Sequence, residues 1–406
     1  MQPRGSGARD AKDGIGASRK SRRRGRRGRG RRKEEARKEA ASGKPAPKQA
    51  GKSPQKPARR SGSADRLYAA LDLGTNNCRL LIARPSPEGF KVVDAYSRIV
   101  RLGEGLASTG ALGEAAMKRA IDALRICAEK MARRGVARSR TIATAACRTA
   151  DNGADFIERV KRETGLSLEV VSTEDEARLA VAGCAPLLDK ACNSALVFDI
   201  GGGSTELIWV RMDGEDDVRP AIADWTSLPC GVVTLAERHG GVDVPENIYV
   251  RMVDEVSGQL SPFLERVKEA AGAGASNFHL LGTSGTVTTI AGVHLGLNRY
   301  DRTRVDGLWI SPDEVQGVTR ALLAMDYGSR AAHPCVGQER ADLVLAGCAI
   351  FEAIALAWPA DRLRVADRGL REGILLSLME ADASRRRRRR KRRRKPKPGA
   401  GGNGTV

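Results

Sequence analysis

The segment ALVFDIGGGSTELIWV, residues 195–210, decides how the rest of the chain is read. An apolar run ends at Asp199, three glycines follow, then Ser204, Thr205 and Glu206, and a second apolar run covers Leu207 to Val210. This pattern predicts strand, tight turn, strand. Gly201, Gly202 and Gly203 carry no Cβ, so consecutive N–H groups can converge on one anion. Asp199 at the end of one strand and Glu206 at the start of the next put two carboxylates beside that anion. Carboxylates next to phosphate oxygens suit Mg²⁺, which takes a few carboxylates and completes its shell with phosphate. The plainer reading of the glycines is a hairpin turn with no ligand.

A second copy argues against the plainer reading. In LYAALDLGTNNCRLLIA, residues 67–83, an apolar strand again ends in an acid, Asp72, with Gly74 two residues on, then Thr75, Asn76 and Asn77 and another strand. Laying Asp72 on Asp199, an offset of 127 residues, aligns Gly74 with Gly201 and Leu80–Ile82 with Leu207–Trp209. Two such hairpins point to a duplicated unit with a cleft between the turns. One phosphate-cradling loop per half resembles the actin, Hsp70 and sugar-kinase superfamily.

The chain of 406 residues has length for two domains plus extras. Its net charge of +21 is unevenly distributed. Residues 1–64 hold 22 Lys/Arg against 5 Asp/Glu, and residues 385–406 hold 12 Lys/Arg and no acid. The middle, 65–384, has 36 Lys/Arg against 44 Asp/Glu, a net charge of −8. An acidic body therefore sits between two basic tails. SRKSRRRGRRGRGRRK (18–33) and RRRRRRKRRRKPKPG (385–399) have almost no apolar residues to offset ordering entropy, so both tails read as disordered and polyanion-binding. Residues 40–63 read as a flexible linker.

No apolar stretch follows the basic N-terminus as a signal peptide requires. The longest apolar run, 343–358, is interrupted by Glu352 and too short for a bilayer, so it reads as a buried helix. The eight cysteines make no C-x-x-C pair, and the four histidines have no ligand spacing. These features favour a reducing, cytoplasmic setting and no membrane partner.

The middle alternates strands and helices, which argues for α/β layers. Residues 90–101 predict a strand, 112–134 a helix stopped at Gly135, 139–146 a strand leading to Arg148, 152–164 a helix and 168–172 a short strand. Thr173 with Glu176 three residues on has the capping-box pattern. The second half predicts helices near 246–271, 312–325 and 339–357, with FHLLGTSGTVTTI at 278–290 between them.

Eight segments together resemble the Ppx/GppA family of exopolyphosphatases and guanosine pentaphosphate phosphatases. They are AALDLGTNNCRLLIA, TAACRTADN, VVSTEDEARLA, VFDIGGGSTEL, SLPCGVVTL, LLGTSGTVTTIAG, ERADLVLAG and VADRGLREGIL, in the family's order over about 67–380. Ser172-Thr173 stands where the family has Ser-Gly, and Thr75-Asn76-Asn77 where it has Ser-Asn-Ser. The chain resembles the short two-domain form. The resemblance implies two actin-like (ribonuclease H-like) domains around an interdomain cleft. Domain I covers 65–188, domain II 189–367, and a final helix, about 368–384, returns to domain I.

The resemblance also implies roles. Glu176 falls at the catalytic base and Arg148 at a phosphate-binding arginine. Asp199 and Glu206 fall at the Mg²⁺ positions. Asp72, Gly74, Thr75 and Asn76, with Gly201, Gly202, Gly203, Ser204 and Thr205, form the phosphate loops. Gly282, Thr283, Ser284 and Gly285 lie where nucleotide-binding relatives hold adenosine, and either serve a guanosine substrate or pack a helix start. The implied reaction is hydrolysis of a terminal phosphoanhydride in polyphosphate or guanosine pentaphosphate, with Mg²⁺ or another divalent cation. A homodimer is in keeping with the family, and the tails are expected to meet polyphosphate or RNA. Two other classes use some of the same features. An ATP-dependent kinase would share the loops but needs an acceptor pocket, and a nucleic-acid-binding protein would use the tails around a regulatory body.

Overall fold

The computed structural model describes residues 66–212, 220–271 and 277–394. The expectations for 1–64 and for 395–406 lie outside the described residues. The first hairpin forms β1 (Tyr68–Leu73) and β2 (Asn77–Ser86), followed by β3 (Gly89–Ile99). Next come α1 (Leu106–Thr109), α2 (Glu114–Arg134), β4 (Arg138–Ala143), α3 (Ala145–Thr149), α4 (Gly153–Thr164), β5 (Glu169–Val170) and α5 (Thr173–Cys184). The second hairpin forms β6 (Ser194–Ile200) and β7 (Thr205–Arg211), then β8 (Ala221–Leu228), α6 (Val232–His239), α7 (Glu246–Ala271), β9 (Phe278–Thr283) and α8 (Ser284–His294). The chain continues through α9 (Arg302–Val305), β10 (Trp309–Ile310), α10 (Pro312–Leu323), α11 (Tyr327–Ala332), α12 (Val344–Ala357), β11 (Leu363–Ala366) and α13 (Leu370–Arg394).

The two sheets are built on one plan. The first has the order β3-β2-β1-β4-β5 and the second β8-β7-β6-β9-β11-β10. In each, three antiparallel strands are followed by two that run parallel to the first. The hairpin turns also close alike. Gly74 N–H donates to Asn77 O at 2.8 Å, and Gly201 N–H donates to Ser204 O at 2.9 Å. Both pairs keep the 127-residue offset of the sequence, so this is the duplicated, actin-like α/β fold.

Packing explains where the chemistry sits. One face of the first sheet buries Leu71 and Leu80 against Leu124 of α2 and Phe156 of α4. The other face takes α13 through Ile374, Leu375 and Leu378, together with Leu179 of α5. The opposite stripe of α5, Ala177, Val181 and Cys184, packs on Val197, Ile208 and Leu281 of the second sheet. Helix α5 is thus wedged between the sheets with its first turn at their gap. A Cβ on Gly373 would lie 2.0 Å from the Leu179 carbonyl oxygen, so α13 and α5 meet backbone to backbone. Helix α12, the expected buried helix, sits in the core of the second half against α7.

Two segments differ from expectation. The strand predicted over 139–146 stops at Ala143, and the chain turns into α3, so Arg148 is on a short helix. The basic stretch read as disordered from 385 is helical as far as Arg394. Arginine is a good helix former, and extending an existing helix needs no new nucleus.

Candidate active site

The turns of both hairpins open on one cavity of about 520 Å³ between the sheets. It lies at the C-terminal ends of β1, β6 and β9, where open α/β sheets leave a crevice. Asp72, Asp199, Glu176 and Glu206 line it, together with Gly74, Thr75, Asn76 and Gly201 to Ser204.

The two turns touch. A Cβ on Gly202 would stand 3.1 Å from Thr75 Cβ and 3.2 Å from Asn76 N, and one on Gly203 would stand 2.6 Å from Thr75 Oγ1. None of the three glycines has a left-handed φ. The triplet serves close approach, not an unusual backbone turn. Its first two carbonyls are spoken for. Val232 N–H donates to Gly201 O at 3.0 Å and Val233 N–H to Gly202 O at 2.8 Å, satisfying the start of α6. In a planar trans peptide the next N–H points the opposite way. The amides of Gly202 and Gly203 therefore point away from α6, and neither donates to a protein acceptor among the described residues. That pair of amides can bind a phosphate oxygen.

Four carboxylates meet around this cradle. Asp199 and Glu206 are direct neighbours across β6–β7. Enclosure raises Asp199 to about 7, with Glu206 adding repulsion and Arg79 opposing it. Enclosure likewise raises Glu206, against hydrogen bonds from Ser204 Oγ at 2.7 Å and Ser227 Oγ at 3.0 Å. Asp72 is raised by enclosure too, and its Oδ1 is buried without a partner. Glu176 is raised well above the usual range by burial and by Glu206, while Arg148 pulls the other way. Arg148 Nη1 donates to Glu176 Oε2 at 3.1 Å and to Val171 O at 2.9 Å.

Several expected roles are corrected. The capping box on Thr173 and Glu176 does not form. Ser172 is the cap, its Oγ accepting from Asp175 N–H at 3.1 Å, and Glu176 turns into the cleft. Thr205 is fully buried, and its Oγ1 donates to Cys230 O at 2.6 Å. As neighbours on a strand, Thr205 and Glu206 face opposite sides, so Thr205 cannot share the phosphate. Gly282 is a packing position, since a Cβ there would strike the Phe198 ring at 2.6 Å. Arg148 does not line the cavity but is fastened to Glu176.

The other wall is basic. Arg79, Arg340 and Arg371 line the cavity, and a Cβ on Gly285 would lie 3.6 Å from Arg79 Nη2 and 3.8 Å from Arg340 Cζ. Burial and Arg371 weaken the hold of Arg79 on its proton, and Asp72 strengthens it. Helix α8 starts there. Ser284 opens it with φ 96, and the hydroxyl of its cap Thr283 donates to Arg368 O at 2.7 Å instead of capping. The first amides of α8 thus keep no side-chain cap beside three guanidiniums, a setting for anions.

Among the described residues no three His, Cys, Asp or Glu side chains are grouped to hold a metal ion. Mg²⁺ does not require such a group, because it uses one or two carboxylates with substrate phosphates and water. The unpartnered Asp72 Oδ1 and the enclosure that raises the proton affinities of Asp72, Asp199 and Glu206 mark carboxylates withdrawn from the water that would stabilise their charge. A hard cation stabilises enclosed carboxylates in water's place, so the donor set fits one. All eight cysteines are free and buried. No described helix is long and apolar enough to cross a membrane.

The profile of the Ppx/GppA phosphatase family matches residues 81–382. The crystal structure of the Aquifex aeolicus member of that family is similar at TM-score 0.64 and 30% identity, covering 78% of this chain and 98% of that one. A structure of an exopolyphosphatase-like protein has TM-score 0.70 and 28% identity over 78% of this chain and 99% of that one. An exopolyphosphatase from Cytophaga hutchinsonii shares the fold at TM-score 0.70 and 24% identity, over 78% and 98% of the two chains.

Proposed function

Because the chain belongs to the Ppx/GppA phosphatase family, we propose that it hydrolyses the terminal phosphoanhydride of inorganic polyphosphate. Solved structures similar to it are described as an exopolyphosphatase and an exopolyphosphatase-like protein. The observation that carries the reading is Glu176, a buried carboxylate held by Arg148 at the edge of a phosphate cradle. Raised proton affinity makes it a better base near neutral pH than an ordinary glutamate.

The terminal phosphate rests on the amides of Gly202 and Gly203. Arg79 and Arg340 take the charge of the following phosphates. A water beside Glu176 attacks the terminal phosphorus as its proton passes to a Glu176 carboxylate oxygen. The bridging P–O bond breaks, and the shortened chain leaves with the bridging oxygen. Arg148 acts through Glu176 as a positioning residue. Asp199 and Glu206 would hold Mg²⁺, which supplies charge neutralisation to the phosphates when bound. Guanosine pentaphosphate carries the same terminal anhydride.

The test is phosphate release from polyphosphate and from guanosine pentaphosphate, with Mg²⁺ and with a chelator. Release from polyphosphate that the chelator abolishes is expected. Release from neither compound would overturn the reading.

A further inference from the structure

The end of α13 has no part in the chemistry above, yet it is held in a defined place. Asp382 is buried on the first sheet, where Tyr68 Oη donates to its Oδ2 at 3.0 Å, Arg66 lies at 3.5 Å and Arg138 also ion-pairs with it. Beyond Ser384 the helix continues as ten consecutive basic residues, Arg385 to Arg394. The first of them, Arg385, Arg387 and Arg388, are exposed. Like charges at i,i+4 spacing repel along a helix, and a bound polyanion would relieve that repulsion.

The same helix begins in the cleft, where Leu370, Arg371 and Glu372 line the cavity. At 1.5 Å per residue the arginine run starts about 21 Å along the helix from Arg371. Residues 65–384 carry a net charge of −8 and repel a polyanion, so an arm fixed to the body at that distance from the cleft, by the starts of β1 and β4, would offset that repulsion for a chain long enough to span it. Residues 385–406 contain no Phe, Trp or Tyr, the rings on which single-stranded bases stack, so what the run offers a polyanion is chiefly charge for its phosphates.

We propose that the start of the basic run of α13, Arg385 to Arg388, binds the inorganic polyphosphate chain whose end enters the cleft, so that affinity grows with chain length. The inference rests on the hydrolase reading above. Short chains cannot reach from the cleft to the arm, and long ones can.

The test compares the full chain with a variant carrying Arg385→Gln, Arg386→Gln, Arg387→Gln and Arg388→Gln. Glutamine matches arginine in helix propensity, so charge alone changes. For long polyphosphate at low salt, KM should rise roughly tenfold or more. The slope of log affinity against log salt should fall by about 3, at about 0.7 per lost contact on a single strand. KM for triphosphate should not change, and the two proteins should converge at high salt. Equal long-chain KM and equal salt slope would overturn the proposal. So would a variant that loses binding of single-stranded RNA and keeps its binding of polyphosphate. Direct binding of fluorescent long polyphosphate is read separately. If that binding falls in the variant while neither protein releases phosphate, the arm stands and the hydrolase reading fails.

Discussion

Arg79 stands opposite Asp72 in the first hairpin at the position where Glu206 stands opposite Asp199 in the second. The two residues keep the 127-residue offset of the hairpins, but their charges are opposite. Had both copies carried an acid, Asp72 would face another carboxylate in place of the nearest cation that offsets its charge. The exchange divides the cleft into an acidic wall at Glu206, Asp199 and Glu176 and a basic wall at Arg79, Arg340 and Arg371. A phosphate chain can place its reacting end at the first and its remaining charge at the second.

Arg79→Gln should therefore act mainly on binding. A charge-assisted hydrogen bond contributes about 1.5–3 kcal/mol, so KM for polyphosphate should rise by roughly one to two orders of magnitude. Turnover should fall less. Steady-state kinetics on a short polyphosphate would check this, and an unchanged KM would remove Arg79 from the phosphate path.

Glu176→Gln keeps the shape of the side chain and removes its ability to take a proton. Turnover should fall by about two to four orders of magnitude, the usual contribution of a general base. Arg148 can still donate to the amide oxygen, so KM should be little changed. Turnover above about a tenth of the wild-type value would show that another group accepts the proton.

Asp199 links metal, activity and stability. Its folded value of about 7 is above its ordinary 3.8, so the folded state holds that proton more tightly than the unfolded state. Its contribution to stability is full below about pH 3.8 and is lost as pH rises through 7. Without divalent cations, Asp199→Asn should thus raise the melting temperature at pH 7.5, by about 2–4 °C for each kcal/mol recovered. Activity should fall at least tenfold in the same variant. In the wild type the acid limb of the rate should lie near pH 7 and move to lower pH as Mg²⁺ is raised, because cation and proton compete for one carboxylate. A limb indifferent to Mg²⁺ would take Asp199 out of the metal site.

The hairpins were legible because their signal is local. An apolar run ending in Asp, a Gly two residues later and a returning run fix strand, turn and register together. Glu176 was legible as a position through the order of motifs, but local rules misassigned it to a helix cap. Its role depends on α5 being wedged between two sheets, which pairs residues far apart in sequence. Arg340 and Arg371 lie inside the ERADLVLAG and VADRGLREGIL segments, but nothing local in those segments marks either as facing the cleft. Arg371 reaches Arg79 because α13 returns to the first sheet, and Arg340 reaches it from the turn that leads into α12. The repeat sets Arg79 level with Glu206, and that alignment is the sequence signal for its place in the cleft. Thr205 and Gly282 fit the motifs, but strand alternation and the Phe198 ring turn them to packing.

The glycine at the start of α6 offers a test of the cradle that touches no substrate. Gly231 has φ −127 and ψ −179, extended backbone that alanine adopts without strain. A Cβ there, however, would lie 2.4 Å from the Gly202 carbonyl carbon and 2.6 Å from Gly203 N. Those are backbone atoms, with no rotamer to move them aside. Gly231→Ala must push the loop toward Thr75 or push α6 back, at a cost of about 1–3 kcal/mol. The amides of Gly202 and Gly203 would move with the loop, and a shift near 1 Å can cost about a hundredfold in rate. Gly317 is the control. It lies within α10, exposed, with no atom within 4 Å of an added Cβ. Gly317→Ala should stabilise the protein by about 0.5–1 kcal/mol and leave turnover alone. Thermal melts and phosphate release on the two variants should therefore move in opposite directions for stability and differ by an order of magnitude or more in rate. Equal rates would mean that the cradle tolerates displacement, and that the free amides do not hold the reacting phosphate.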